Sequence, residues 1–195
     1  MSSKIGVQNI AHTNGTNAMT ISSGGVATFT QAPVNAGGGK VLQVKQDILR
    51  TTWVSSSSST AFENTPLSVT ITPQSTNSKI LITGMINCTS ASLSHGDFKV
   101  VRNGADILLS TDSGGFTKSH IHLYNGGSVS VYQIQAFTLN LLDEPSSTSA
   151  LTYTLQGGTP HSAGYIVYLN RAATEANAAY DGRTVSTLTV QEIGG

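Results

Sequence analysis

Charge is scarce in this chain. Asp, Glu, Lys and Arg make up 10% of its 195 residues, against about a quarter in ordinary globular proteins. Ten basic residues balance ten acidic ones, so no net field gathers DNA, RNA or an anionic membrane, and nucleic-acid and membrane partners are not expected. Cysteine is almost absent: Cys88 stands alone, which excludes an internal disulfide framework and any zinc ribbon. No apolar run approaches the roughly 20 residues of a membrane span. The opening MSSKIGVQNI carries no secretory apolar stretch, and a soluble chain not exported by that route is expected. GxSxG, HExxH, P-loop and GxGxxG motifs are all missing, so neither enzyme activity nor a cofactor is expected.

What is present in quantity is hydroxyl: Ser and Thr contribute 50 residues. The periodic segments all show period two, and none carries an amphipathic helical stripe. Val41–Gln46, Leu67–Thr72, Lys79–Thr89, Gly96–Arg102, Ile107–Ser110, Ser119–Tyr124, Val129–Leu142, Leu151–Leu155, Tyr165–Asn170 and Val185–Ile193 read as strands, being alternating or apolar and rich in β-branched residues. Turn signals separate them. The strongest hairpin signal is Asn103-Gly104, because both residues tolerate the positive φ of a type I′ turn. Many short strands with no helix to cover a sheet predict an all-β, antiparallel β-sandwich. Ala-rich Arg171–Tyr180 reads as an exposed loop.

Residues 1–39 have a different texture. Short apolar pieces, IGVQNI and AMTI, alternate with polar ones and end at Gly37-Gly38-Gly39, a flexible hinge by composition. The division predicted is an extended N-terminal arm with short strands, 1–39, and a sandwich domain, 40–195. The arm has too few apolar side chains for a core of its own, so it should order against something else. Its candidate anchors are Ile5, Val7, Ile10, Met19, Ile21, Val26 and Phe29.

Few residues carry candidate chemistry. His120 and His122 lie two apart in SHIHLY, so on a strand both imidazoles leave one face. Three copies meeting on a threefold axis would supply six nitrogens to a transition metal; alternatively both face solvent or a neighbouring subunit as hydrogen-bonding groups. Asp143-Glu144 before Pro145 reads as a solvated turn, Cys88 as a small buried hydrophobe and Ser55–Ser59 as a loop. Trp53 and tyrosines 124, 132, 153, 165, 168 and 180 suit either a sugar-stacking platform or, at alternating strand positions, core and interface.

The run PLSVTITPQSTNSKILITG (Pro66–Gly84) and the closing STLTVQEIGG (Ser186–Gly195) resemble the C-terminal domain of small bacteriophage virion proteins. KIGVQNIAHTNGTNAMTISSGGVATF (Lys4–Phe29) is similar to the N-terminal segment of phage tail-fibre and head-decoration proteins, particularly those of cyanophages. The resemblance covers most of the chain as loose strand patterns, without a catalytic signature. It implies a C1q-like or tumour-necrosis-factor-like jelly roll assembled as a homotrimer on the outer surface of the virion. The arm would bind the major capsid protein or another virion protein, as in a head decoration (cement) protein. The alternatives are a short tail fibre or receptor-binding tip, and a carbohydrate-binding lectin. A host surface glycan is the further partner these readings allow.

Overall fold

The structure is a computed structural model that describes residues 9–11, 17–29, 39–56, 59–91, 93–126 and 132–195. Every regular element among the described residues is a β-strand. The chain divides into two compact units, residues 1–40 with Gly195 and residues 41–194.

The first unit holds β1 (Asn9–Ala11), β2 (Asn17–Ile21) and β3 (Ala27–Phe29), an antiparallel three-stranded sheet in chain order. The turn between β2 and β3 closes on Ser22. Its hydroxyl accepts from the Val26 N–H at 3.1 Å and its carbonyl from Gly25 N–H at 2.9 Å, with Gly25 at φ 79°. Glycine takes that left-handed value without steric cost.

The second unit contains β4 (Val41–Leu49), β5 (Trp53–Val54), β6 (Glu63–Ile71), β7 (Lys79–Ser90), β8 (Ser94–Arg102), β9 (Ala105–Asp106) and β10 (Ile121–Asn125). It continues with β11 (Gln135–Asp143), β12 (Leu151–Gly158), β13 (Val167–Leu169) and β14 (Ser186–Ile193). Eight of these strands have five residues or more, and they pair from the outside in. The first joins the last (β4–β14), the second the seventh (β6–β12), the third the sixth (β7–β11) and the fourth the fifth (β8–β10). Two antiparallel sheets result, β4-β14-β7-β11 and β6-β12-β8-β10. Short β13 and β5 extend the first sheet and β9 the second.

Alternation decides which side chains go inside. Along β12 and β14 every second residue is buried, as period two requires of a strand with one face on a core. Leu67, Val69, Ile71, Phe98, Val100, Tyr153 and Leu155 from one sheet meet Ile80, Ile82, Ile86, Leu139, Leu188 and Val190 from the other in a single cluster. Cys88 belongs to it, and burial pushes its thiol pKa far up. The sheets approach closely at Gly96. A Cβ there would collide with Val167 of the opposite sheet and press on Leu123 at 3.2 Å. Gly96→Ala should therefore destabilise by about 1–3 kcal/mol through overpacking, visible as a lower urea midpoint with an unchanged slope.

Three local readings need correction. Ile107–Ser110 is not a strand, since Leu108 takes φ 53°, a left-handed value that breaks extended pairing. β6 starts at Glu63, ahead of Pro66. Proline donates no ladder bond, and here it lies on an edge strand where the register with β12 shifts between Thr154 and Gln156, the setting in which a strand tolerates it. Asp143 is not in a solvated turn: it ends β11 and is buried. The Asn103-Gly104 hairpin joins β8 to β9 with φ values of 50° and 82°. The Arg171–Tyr180 segment contains no helix, and residues 127–131 of the expected Val129–Leu142 strand lie outside the described residues.

Candidate functional site

The outward face of the β8–β10 pair collects the titratable groups. In their antiparallel register His122 stands opposite Asp97 and Tyr124 opposite His95, and residues two apart on a strand share a face. Asp97 is 1% exposed. Its Oδ1 accepts from Ser119 Oγ at 2.7 Å and lies 2.9 Å from His122 Nδ1. A carboxylate only accepts, so His122 carries its proton on Nδ1 and turns the Nε2 lone pair outward. That Nε2 is 3.4 Å from His95 Nδ1.

Two loops complete the cleft. The turn after β12 is tied by buried Thr159, whose hydroxyl reaches the carbonyls of Ser162 and Tyr165 at 3.2 and 3.4 Å. It carries His161 edge-on to His95, ring centroids 4.6 Å apart, while His161 itself stacks on Tyr165. His95 stacks on Tyr124 at 4.4 Å. The loop before β10 contributes Gly115, Thr117 and Phe116, which is 74% exposed. With His95, Asp97, His122 and His161 they line an open cleft of about 430 Å³. Burial, then His161 and His122, hold the His95 pKa below its ordinary 6.5 against the pull of Asp97.

His120, expected beside His122, has different surroundings. It precedes β10, and its Nδ1 accepts from the Val100 N–H at 3.0 Å while its Nε2 is buried without a hydrogen-bond partner. Among the described residues no group of three or more His, Cys, Asp or Glu side chains is arranged to hold a metal ion. Sequence reasoning missed His95, Asp97 and His161. A signal for two of them existed: the SHGD and HIHLY stretches each space polar or aromatic groups two apart, as one face of a strand pair would.

Of the candidate anchors in the first unit, Ile5 and Val7 lie outside the described residues. Met19 is opposite Ile10 in β1 and Phe29 in β3. Met19 and Ile21 are half-buried, and Val26 in the turn is 64% exposed.

The outward face of the other sheet is of the opposite character. Its cross-strand rows are Val44, Gln191, Leu81, Leu142; then Gln46, Thr189, Thr83, Asn140; then Ile48, Thr187, Met85, Thr138. None of the twelve is charged. Lys45, Asp47, Asp143 and Glu192 fall on the other phase of the same strands; Lys79, at the end of β7, shares the outward phase beyond these rows and pairs with Glu144. Val44, Met85 and Leu142 are 54%, 43% and 45% exposed. No protein-family model matches this chain, and no curated protein matches it either.

Proposed function

We propose that this protein is a structural component of a bacteriophage particle: a homotrimer of jelly rolls whose N-terminal segment grips the virion as a head decoration protein does. One feature supports the jelly-roll reading. Eight strands pair first with last and inward to fourth with fifth, the double winding over two sheets that a jelly roll requires. The observation that carries the trimer reading is the uncharged patch of twelve side chains on the outer face of β4-β14-β7-β11. A surface without charge meets its own copies with no like-charge penalty, and its exposed Val44, Met85 and Leu142 gain by leaving water. The first unit suits the gripping role. Its outer strands β1 and β3 offer backbone donors and acceptors that an adjoining chain can extend, and symmetry multiplies each weak contact into avidity.

The full chain should run in sedimentation at about three times its 20.2 kDa. Met85→Glu combined with Leu142→Glu should reduce it to a folded single chain, because charge buried in an interface costs several kcal/mol. A wild-type protein that sediments as a monomer at micromolar concentration would refute the trimer. Deleting residues 1–39 should leave the trimer intact and abolish co-sedimentation with particles; retained association would refute the gripping role.

A second reading, a short tail fibre or receptor-binding tip, is favoured by the imidazole and aromatic cleft on the opposite face. Copy number separates the two, since a decoration protein rivals the capsid protein in a stained gel of purified particles and a fibre does not.

A further inference from the structure

We infer that the β8–β10 face holds a divalent transition-metal site, formed by His95 Nδ1 and His122 Nε2 and oriented by Asp97, with Zn²⁺ the ion its geometry fits. The separation of the two nitrogens, 3.4 Å, is the first reason. It lies at the long end of hydrogen-bond contacts, beyond the roughly 2.7–3.2 Å typical of an N–H donor to oxygen. Two ligands about 2.0–2.1 Å from a tetrahedral Zn²⁺ stand about 3.3–3.4 Å apart. Octahedral neighbours at the same bond length would be closer, about 2.9 Å, so the spacing favours the tetrahedral ion.

The second reason is the support behind His122. A metal-bound imidazole characteristically donates its other N–H to a carboxylate, which fixes the tautomer and raises the basicity of the ligating nitrogen. His122 has this arrangement: Nδ1 bonds Asp97 Oδ1 at 2.9 Å, and that oxygen is held in turn by Ser119. Asp97 is a buried carboxylate, and among the described residues no Lys or Arg pairs with it, only the His122 imidazole. A cation on the far side of His122 compensates its charge. His95 is positioned independently by stacking on Tyr124. The cleft of about 430 Å³ in front of the pair leaves the two remaining positions of the tetrahedron open to water or to a ligand from outside.

This site differs from a threefold-axis site built on His120 and His122, because both protein ligands come from one chain and His120 is excluded. Titrating the full chain with Zn²⁺ by calorimetry at pH 7.5 should give one ion per chain. His95→Phe, which keeps a ring on Tyr124, should weaken binding at least tenfold, since it removes one of two protein ligands. Asp97→Asn should weaken it about 10- to 100-fold, and His120→Ala should leave it unchanged. Thermal melting provides the control for folding: Zn²⁺ should raise the wild-type midpoint and leave that of a folded His95→Phe protein where it was. Absence of Zn²⁺ binding by the wild type would overturn the site. So would equal binding by the His95→Phe protein, or one ion per three chains with loss in His120→Ala.

Discussion

Replacing Asp143 with Ala should remove about 3–5 kcal/mol of folding free energy, a large share of the roughly 5–15 kcal/mol that holds a domain together. The carboxylate ends β11 in one sheet, and its partners come from the other. Arg102 Nη1 of β8 donates to Oδ1 at 2.8 Å and Oδ2 at 2.6 Å, and the hydroxyl of Tyr153 of β12 donates to Oδ2 at 2.7 Å. Tyr153 is fully buried and the Asp143 side chain is 7% exposed. Burial, with Asp143 alongside, pushes the phenol pKa well up, so the hydroxyl remains a donor at any ordinary pH. Truncating the acceptor leaves a buried phenol and a half-buried guanidinium short of their partner, and that penalty exceeds the net value of the bonds themselves. Tyr153→Phe removes one donor and leaves the ion pair, so about 1 kcal/mol is expected. Urea unfolding followed by fluorescence of Trp53, which packs on the core of this unit, gives both numbers. Equal losses in the two variants would show that Asp143 does not act as the clamp between sheets.

Glu192→Ala should cost about 2–4 kcal/mol, from one buried and two partly buried hydrogen bonds losing their acceptor. Glu192 is fully buried near the end of β14. Ser78 Oγ and Gln74 N–H donate to its Oε1, both at 2.7 Å, and Gln43 Nε2 donates to Oε2 at 2.6 Å. Burial alone would raise its pKa. The hydrogen bonds from Gln43, Ser78 and Gln74 outweigh that and hold it below the ordinary 4.5. A carboxylate with a depressed folded-state pKa contributes stability that is fully present above the unfolded value, here near 4.5, and lost as pH falls through the lower folded value. Wild-type protein should therefore lose stability as pH drops below about 4.5, and Glu192→Gln should lose less over the same interval. If the two profiles run parallel, acid sensitivity originates elsewhere.

Much of the sandwich is visible in the sequence because alternation is a local property. LSVTI, LTYTL and STLTVQEI each carry period two, and each is a strand with alternate residues buried. What local pattern cannot carry is partnership across the chain. Asp143 looks like a turn acid because the guanidinium that claims it is 41 residues away on the opposite sheet. The cleft escapes for the same reason. His95 and His122 are joined only by the register of β8 with β10, and His161 arrives on a turn between two later strands. Spacing within SHIHLY suggested two histidines acting together, but it holds no information about the backbone N–H of Val100 that donates to His120. Pro66 misleads in the other direction, since nothing near it announces that its strand lies at a sheet edge.

The separation of charge between the two outward faces has an experimental consequence. Ionic strength and proton concentration have little purchase on the rows from Val44 to Thr138, where no side chain titrates, whereas the opposite flank carries the Asp97 carboxylate and three imidazoles. Solution conditions can thus address one flank of the molecule while leaving the other undisturbed. An assembly held by the silent flank would keep its stoichiometry through a change of medium that rewrites what the opposite flank presents.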